Sequence, residues 1–127
     1  MNALAAVALL VFTMLPAQSP SASLNGKWIG TLTRTAPDGR SQAIDWMFNF
    51  SQDGKALTGT TGPNADRQWQ FDKGTVKGGK VSFKVQQPDG PMRTFTLTLV
   101  KDRLQGEMLA ELKDQSFTAK VDAERAK

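Results

Sequence analysis

The chain has no cysteine, no histidine and no tyrosine. Without cysteine there is no disulfide, so an exported domain of this composition is held by packing alone. Lipid attachment at a cysteine is excluded for the same reason. A Ser-His or Cys-His nucleophile pair cannot be assembled. The usual zinc and copper ligands are missing as well. Charge of one sign is scarce: 16 Lys and Arg stand against 12 Asp and Glu, a net +4. That excess is far from the basic stripe that nucleic-acid binding requires. Helical periodicity is also scarce. Beyond the N-terminal segment only residues 108–112, with Ala110-Glu111-Leu112-Lys113 at their end, have helix-former composition.

A long apolar run occurs once, over residues 3–15, followed by Pro16-Ala17-Gln18-Ser19-Pro20. An apolar core of about 13 residues before small residues reads as a secretory signal peptide. A membrane span takes about 20 apolar residues. Cleavage is expected after Ala17, because a cut after Ser19 would leave Pro20 at the new terminus. The segment departs from the usual pattern in having no Lys or Arg before the run. The expected organisation is a signal peptide over 1–17, a polar lead-in over 18–25, one β-domain over 26–121 and a charged tail over 122–127. The protein is expected to be exported, periplasmic or secreted, and monomeric, with no transmembrane segment in the mature chain.

What remains is dominated by extended segments. Ile44, Trp46, Phe48 and Phe50 alternate with Asp45, Met47, Asn49 and Ser51, the period-two pattern of a half-buried strand. Asp53-Gly54 is expected to make the turn, with both residues at positive φ. Leu57 and Gly59 continue the pattern on the return. Residues 26–35 form a first strand, with Trp28 and Leu32 on one face and Gly30 between them. A glycine there lets the strand bend or a neighbour approach. Residues 62–66 read as a loop. A fourth strand carries Trp69 and Phe71, then a bulge at Lys73-Gly74, then Val76. Gly78-Gly79 is a two-residue hairpin turn. Val81, Phe83 and Val85 alternate on a fifth strand, and Pro88-Asp89-Gly90-Pro91 breaks it. Phe95, Leu97 and Leu99 mark a sixth strand, Leu104, Gly106 and Met108 a seventh, and Phe117, Ala119 and Val121 an eighth. The seventh is expected to end early, in the helix-like composition after Met108.

Short strands with tight turns pair each with the last. The fold class is therefore all-β: an eight-stranded antiparallel up-and-down barrel, closed or partly open. The alternative is a two-layer β-sandwich. Eight strands leave an interior that side chains fill, or that holds one small ligand. Gly26-x-Trp28-x-Gly30 on the first strand resembles the Gly-x-Trp opening of the lipocalin and avidin (calycin) barrels. Phe48-x-Phe50, Asp53-Gly54, Leu57-x-Gly59 and the closing Phe117-Thr118-Ala119-Lys120 look like small exported bacterial lipocalin-like domains. The resemblance covers residues 25–121. It implies that Trp28 is structural and closes one barrel end. The avidin biotin site does not carry over, because it uses a tyrosine. The chain is also shorter than typical lipocalins.

No catalytic residue stands out. Asp45, between Ile44 and Trp46, falls on the outer face by parity. Asp38-Gly39, Asp53-Gly54 and Asp89-Gly90 are isolated turn pairs and not a calcium site, and no metal or cofactor is expected. Lys73, Lys77, Lys80 and Lys84 read as a solvated face that discourages edge pairing. The sharper candidates are aromatic. Trp28, Trp46, Trp69, Phe83 and Phe95 would line a lumen for a small apolar or amphipathic ligand, each offering about 150–250 Å² of surface. Alternatively they fill a solid core, and the protein is an interaction or envelope-associated module.

Overall fold

A computed structural model describes residues 23–127. The signal peptide over 1–17 and most of the lead-in lie outside the described residues. Eight strands follow one another: β1 Gly26–Thr35, β2 Ser41–Asp53, β3 Ala56–Asn64, β4 Arg67–Lys77, β5 Lys80–Gln86, β6 Met92–Val100, β7 Arg103–Leu112 and β8 Gln115–Arg125. Each pairs antiparallel with the next, and β8 returns to β1, so the sheet is a closed up-and-down barrel and not a sandwich. No helix among the described residues is long and apolar enough to cross a membrane.

Alternation decides the inside. Trp28, Leu32, Trp46, Phe48, Phe50, Leu57, Phe71, Val81, Phe83, Val85, Phe95, Leu97, Leu104, Met108 and Val121 are all buried. Rings meet rings along the axis. Phe71 and Phe83 stack at 4.1 Å between centroids and Phe83 and Phe95 at 4.9 Å, while Phe48 meets Phe95 edge-on at 5.5 Å. These are the separations of well-packed aromatic pairs. The interior is filled.

The structure corrects several sequence expectations. Ile44 has inward parity but is 45% exposed, because it stands where the barrel opens. The turn between β2 and β3 is Gly54-Lys55: Asp53 still pairs with Ala56, and of the expected Asp-Gly pair only Gly54 has a positive φ, 64°. Residues 62–64 belong to β3, whose pairing with β4 is irregular between Thr61 and Asn64. That irregularity accommodates Pro63, which has no N–H to donate. Strand β7 stays extended to Leu112, since every residue from Arg103 onward pairs with β8. Ladder pairing on both sides of Ala110 and Glu111 overrides the local helical propensity. The charged tail is not free over 122–125. Asp122, Ala123, Glu124 and Arg125 pair with Thr31, Gly30, Ile29 and Trp28, so the barrel extends to Arg125. Nor is the lead-in merely polar, because Leu24 is 1% exposed and part of the core.

The expected bulge in β4 is present. Leu57 pairs with Gly74 but Gly59 with Phe71, an extra residue on β4. The insertion switches inward parity from Trp69 and Phe71 to Gly74 and Val76, as a bulge must.

Candidate functional site

The two barrel ends differ. At one, residues 23–25 cross as a strap. Leu24 N–H donates to Gln52 Oε1 at 2.9 Å, and Gln52 N–H donates to Asn25 Oδ1 at 2.6 Å. The Arg125 guanidinium donates to the carbonyls of Ser23 and Asn25 at 2.8 and 3.3 Å and lies 4.5 Å from the Trp28 ring. Trp28 is fully buried beneath the strap and donates its indole N–H to the Leu24 carbonyl at 3.0 Å. This end is closed.

The other end opens into a half-enclosed cleft of about 180 Å³. Its walls are apolar: Leu32 from β1, Ile44 from β2, Met108 from β7, and Phe117 and Ala119 from β8. Arg34, Gln42 and Arg93 complete it, and among the described residues no carboxylate lines it. Such a volume exceeds the engineered apolar cavity of about 150 Å³ that takes up benzene.

Arg93 is the unusual group. It extends from the start of β6 at the inward parity of Phe95, and its guanidinium carbon lies 5.0 Å from the centre of the Trp46 ring. Nη2 donates to Gln87 Oε1 at 3.3 Å, and Nη1 makes a 3.8 Å contact to Met108 Sδ, a weak acceptor. Its Nε is the buried side-chain polar atom among the described residues that has no hydrogen-bond partner. Burial lowers its pKa from arginine's ordinary value. An arginine remains charged at neutral pH even so. Arg34 lies over the Phe117 ring at 4.2 Å. Neither arginine takes part in the described ion pairs, which use Arg40 and Arg103.

The five aromatic candidates occupy a different level. Trp46, Phe83 and Phe95 belong to the continuous ring packing below the cleft, and half-buried Trp69 leans on Trp46 at 6.1 Å. Trp28 lies at the closed end. The structure thus brings four of the five together and leaves Trp28 apart. Trp46 is held by its indole N–H, which donates to Thr61 Oγ1 at 2.7 Å. Lys73, Lys77, Lys80 and Lys84 are exposed on β4 and β5, away from the cleft, and Asp45 is exposed on the outer face. No group of three or more metal-ligating side chains occurs among the described residues.

A second hollow of about 340 Å³ lies beside the strap, with Leu24, Val76, Val81 and Leu99 below and Lys55 and Lys77 at its edge. No buried polar side-chain atom there lacks a partner. The mouth cleft is therefore the candidate site. The alternation of apolar residues does not by itself reveal its polar lining. Arg34, Gln42 and Arg93 share the parity of Leu32, Ile44 and Phe95, and extending the alternation to polar residues would have found them.

Fold and cleft together define a small antiparallel meander barrel, closed at one end and apolar at its open mouth. No protein-family model matches the chain, and no curated protein is similar to it in sequence. Two solved structures align with most of the chain. One is a protein of unknown function from the DUF3598 family of Nostoc punctiforme, with a TM-score of 0.49 and 17% identity. The match covers 81% of this chain and 47% of that protein, so the chain spans less than half of its length. Another is zebrafish ileal bile acid-binding protein complexed with cholic acid, with a TM-score of 0.44 and 13% identity over 80% of this chain and 98% of that one.

Proposed function

We propose that this chain is an exported, monomeric, non-catalytic β-barrel that binds a small apolar or amphipathic molecule at its mouth. The mouth cleft carries the reading. Five apolar side chains wall it, and one of them, Ile44, is 45% exposed. Apolar concavities with a few polar groups are where small ligands bind. The filled interior limits the ligand to the mouth. The lack of histidine and cysteine supports a non-catalytic role. A closed sheet offers no free edge for strand pairing with a second copy, which supports a monomer. Export rests on the apolar run over 3–15, and N-terminal sequencing of protein recovered from its host should begin at Gln18.

The test uses a neutral apolar probe. Titration with octanol should change tryptophan emission saturably, because Trp46 lies directly beneath the cleft. Ile44→Asp should weaken that binding about tenfold, the worth of about 1.4 kcal/mol. The second reading, an interaction or envelope-associated module without a small ligand, is favoured by the aromatic packing that fills the lumen. Weak, non-saturable uptake that Ile44→Asp leaves unchanged would establish that reading instead.

A further inference from the structure

We propose that the ligand of the mouth cleft is an organic anion that enters head first, its carboxylate-like group on Arg93 and Arg34 and its apolar tail directed outward along Ile44 and Phe117. The inference rests on the cleft being the binding site and adds the chemical class and the orientation of what it takes.

Three observations carry it. First, positive charge in the cleft is uncompensated. Among the described residues, two guanidiniums line it and no carboxylate does. Desolvating a charge without a partner is unfavourable, so a fold that retains Arg93 half-buried beside apolar walls gains from an anion that pairs with it. Second, donors are left over. A guanidinium carries five N–H groups. The protein engages Arg93 through one long contact to an amide oxygen and one to a thioether sulfur, and Nε has no partner. Planar, bidentate recognition of a carboxylate is what such a fork suits best. Third, the polar group is the deep one. Arg93 rests on Trp46, which is itself buried and packs against Phe95 at 6.3 Å and Trp69 at 6.1 Å. No space exists beneath Arg93 for a tail, whereas exposed Ile44 and half-buried Phe117 flank the way out. Both arginines also lie over aromatic rings, Arg93 on Trp46 and Arg34 on Phe117. Those contacts hold the two planar groups in place before an anion arrives.

Orientation has a measurable consequence. A tail that leaves the cleft gains nothing from extra length once the walls are covered. Affinity should rise over the shortest alkyl carboxylates and then level off.

The experiment compares octanoate, octanol and octyltrimethylammonium by titration calorimetry and tryptophan emission on the full-length mature protein. Octanoate should bind saturably and about tenfold more tightly than octanol, the worth of one charge-assisted hydrogen bond. The ammonium should bind most weakly. Arg93→Met should abolish the preference for octanoate over octanol, and Arg93→Lys should recover part of it. Should Arg93→Met fold poorly, Arg34→Gln at an exposed position should reduce the same preference. Equal affinity for octanoate and octanol, or preference for the ammonium, overturns the anionic head while the mouth remains a binding site. An affinity that climbs steadily from butanoate to dodecanoate overturns the outward tail. No saturable binding of any of the three overturns the cleft reading, and this proposal with it.

Discussion

Trp46 shows how much one polar atom decides inside a filled barrel. Its indole N–H has a single acceptor, Thr61 Oγ1, which in turn donates to the Met47 carbonyl at 2.9 Å. Thr61 is the one polar residue among the described residues that is fully buried. Thr61→Val keeps the shape and removes both bonds. The expected loss is about 1–3 kcal/mol, the penalty of leaving a buried donor unpaired. Urea unfolding at unchanged m would measure it, and a midpoint equal to wild type would show that the indole finds another partner. Alternation could identify Trp46 as inward, but nothing in it names the partner. Thr61 and Trp46 are 15 residues apart, and only the β2–β3 register, with Phe48 opposite Thr61, brings them together.

Among the elements, β1 carries the seam that closes the barrel. It pairs with β2 on one side and with β8 on the other. Gly30 lies where those two approaches meet. A Cβ added there would lie 2.7 Å from Ala123 Cβ and closer still to the Asp122 carbonyl. Of the two roles a mid-strand glycine can play, close approach of a neighbour is the one used here. Gly30→Ala must push β8 away or break the seam, and it should cost about 3 kcal/mol, the upper part of the overpacking range. Thermal unfolding measures the loss, and tolerance of alanine would mean that the seam slides without loss of pairing. The same dependence on neighbours explains why β7 was hard to bound. Its last residues favour helix on their own, yet Ala110 sits between Arg93 and Phe117 in the ladder and has no other conformation available.

On the scale of the whole molecule, closure is the organising event. It removes every edge, and it depends on residues that read from sequence as a charged tail. Four of the six β1–β8 pairs involve residues 122–125. Arg103 also clamps Asp122 and Glu124 from β7, each at 2.8 Å, and those bonds raise its pKa, the hydrogen bond to Asp122 foremost. The pairs are half exposed, so their direct worth is small. Deleting residues 122–127 should nevertheless open the barrel between β1 and β8. The expected outcome is loss of cooperative unfolding and self-association through the exposed edges, read by light scattering and near-ultraviolet dichroism. A truncated chain that stays monomeric with a native aromatic spectrum would place the seam's strength elsewhere.

The amino-acid sequence by itself determined the fold class, the strand count and nearly all of the core, because period-two alternation and Gly- or Asp-Gly-bearing turns are local signals that each strand carries alone. Tertiary structure decided what those signals do not contain. Which end is closed depends on Arg125 reaching over Trp28 to the carbonyls of Ser23 and Asn25, 102 and 100 residues away along the chain. Whether an inward side chain is dry depends on its height in the barrel, which separates Trp46 from Ile44 although they share one face of one strand. The gathering of Arg34 and Arg93 around one cleft is a product of closure, since β1 and β6 are brought to a common mouth only when the sheet completes its circle.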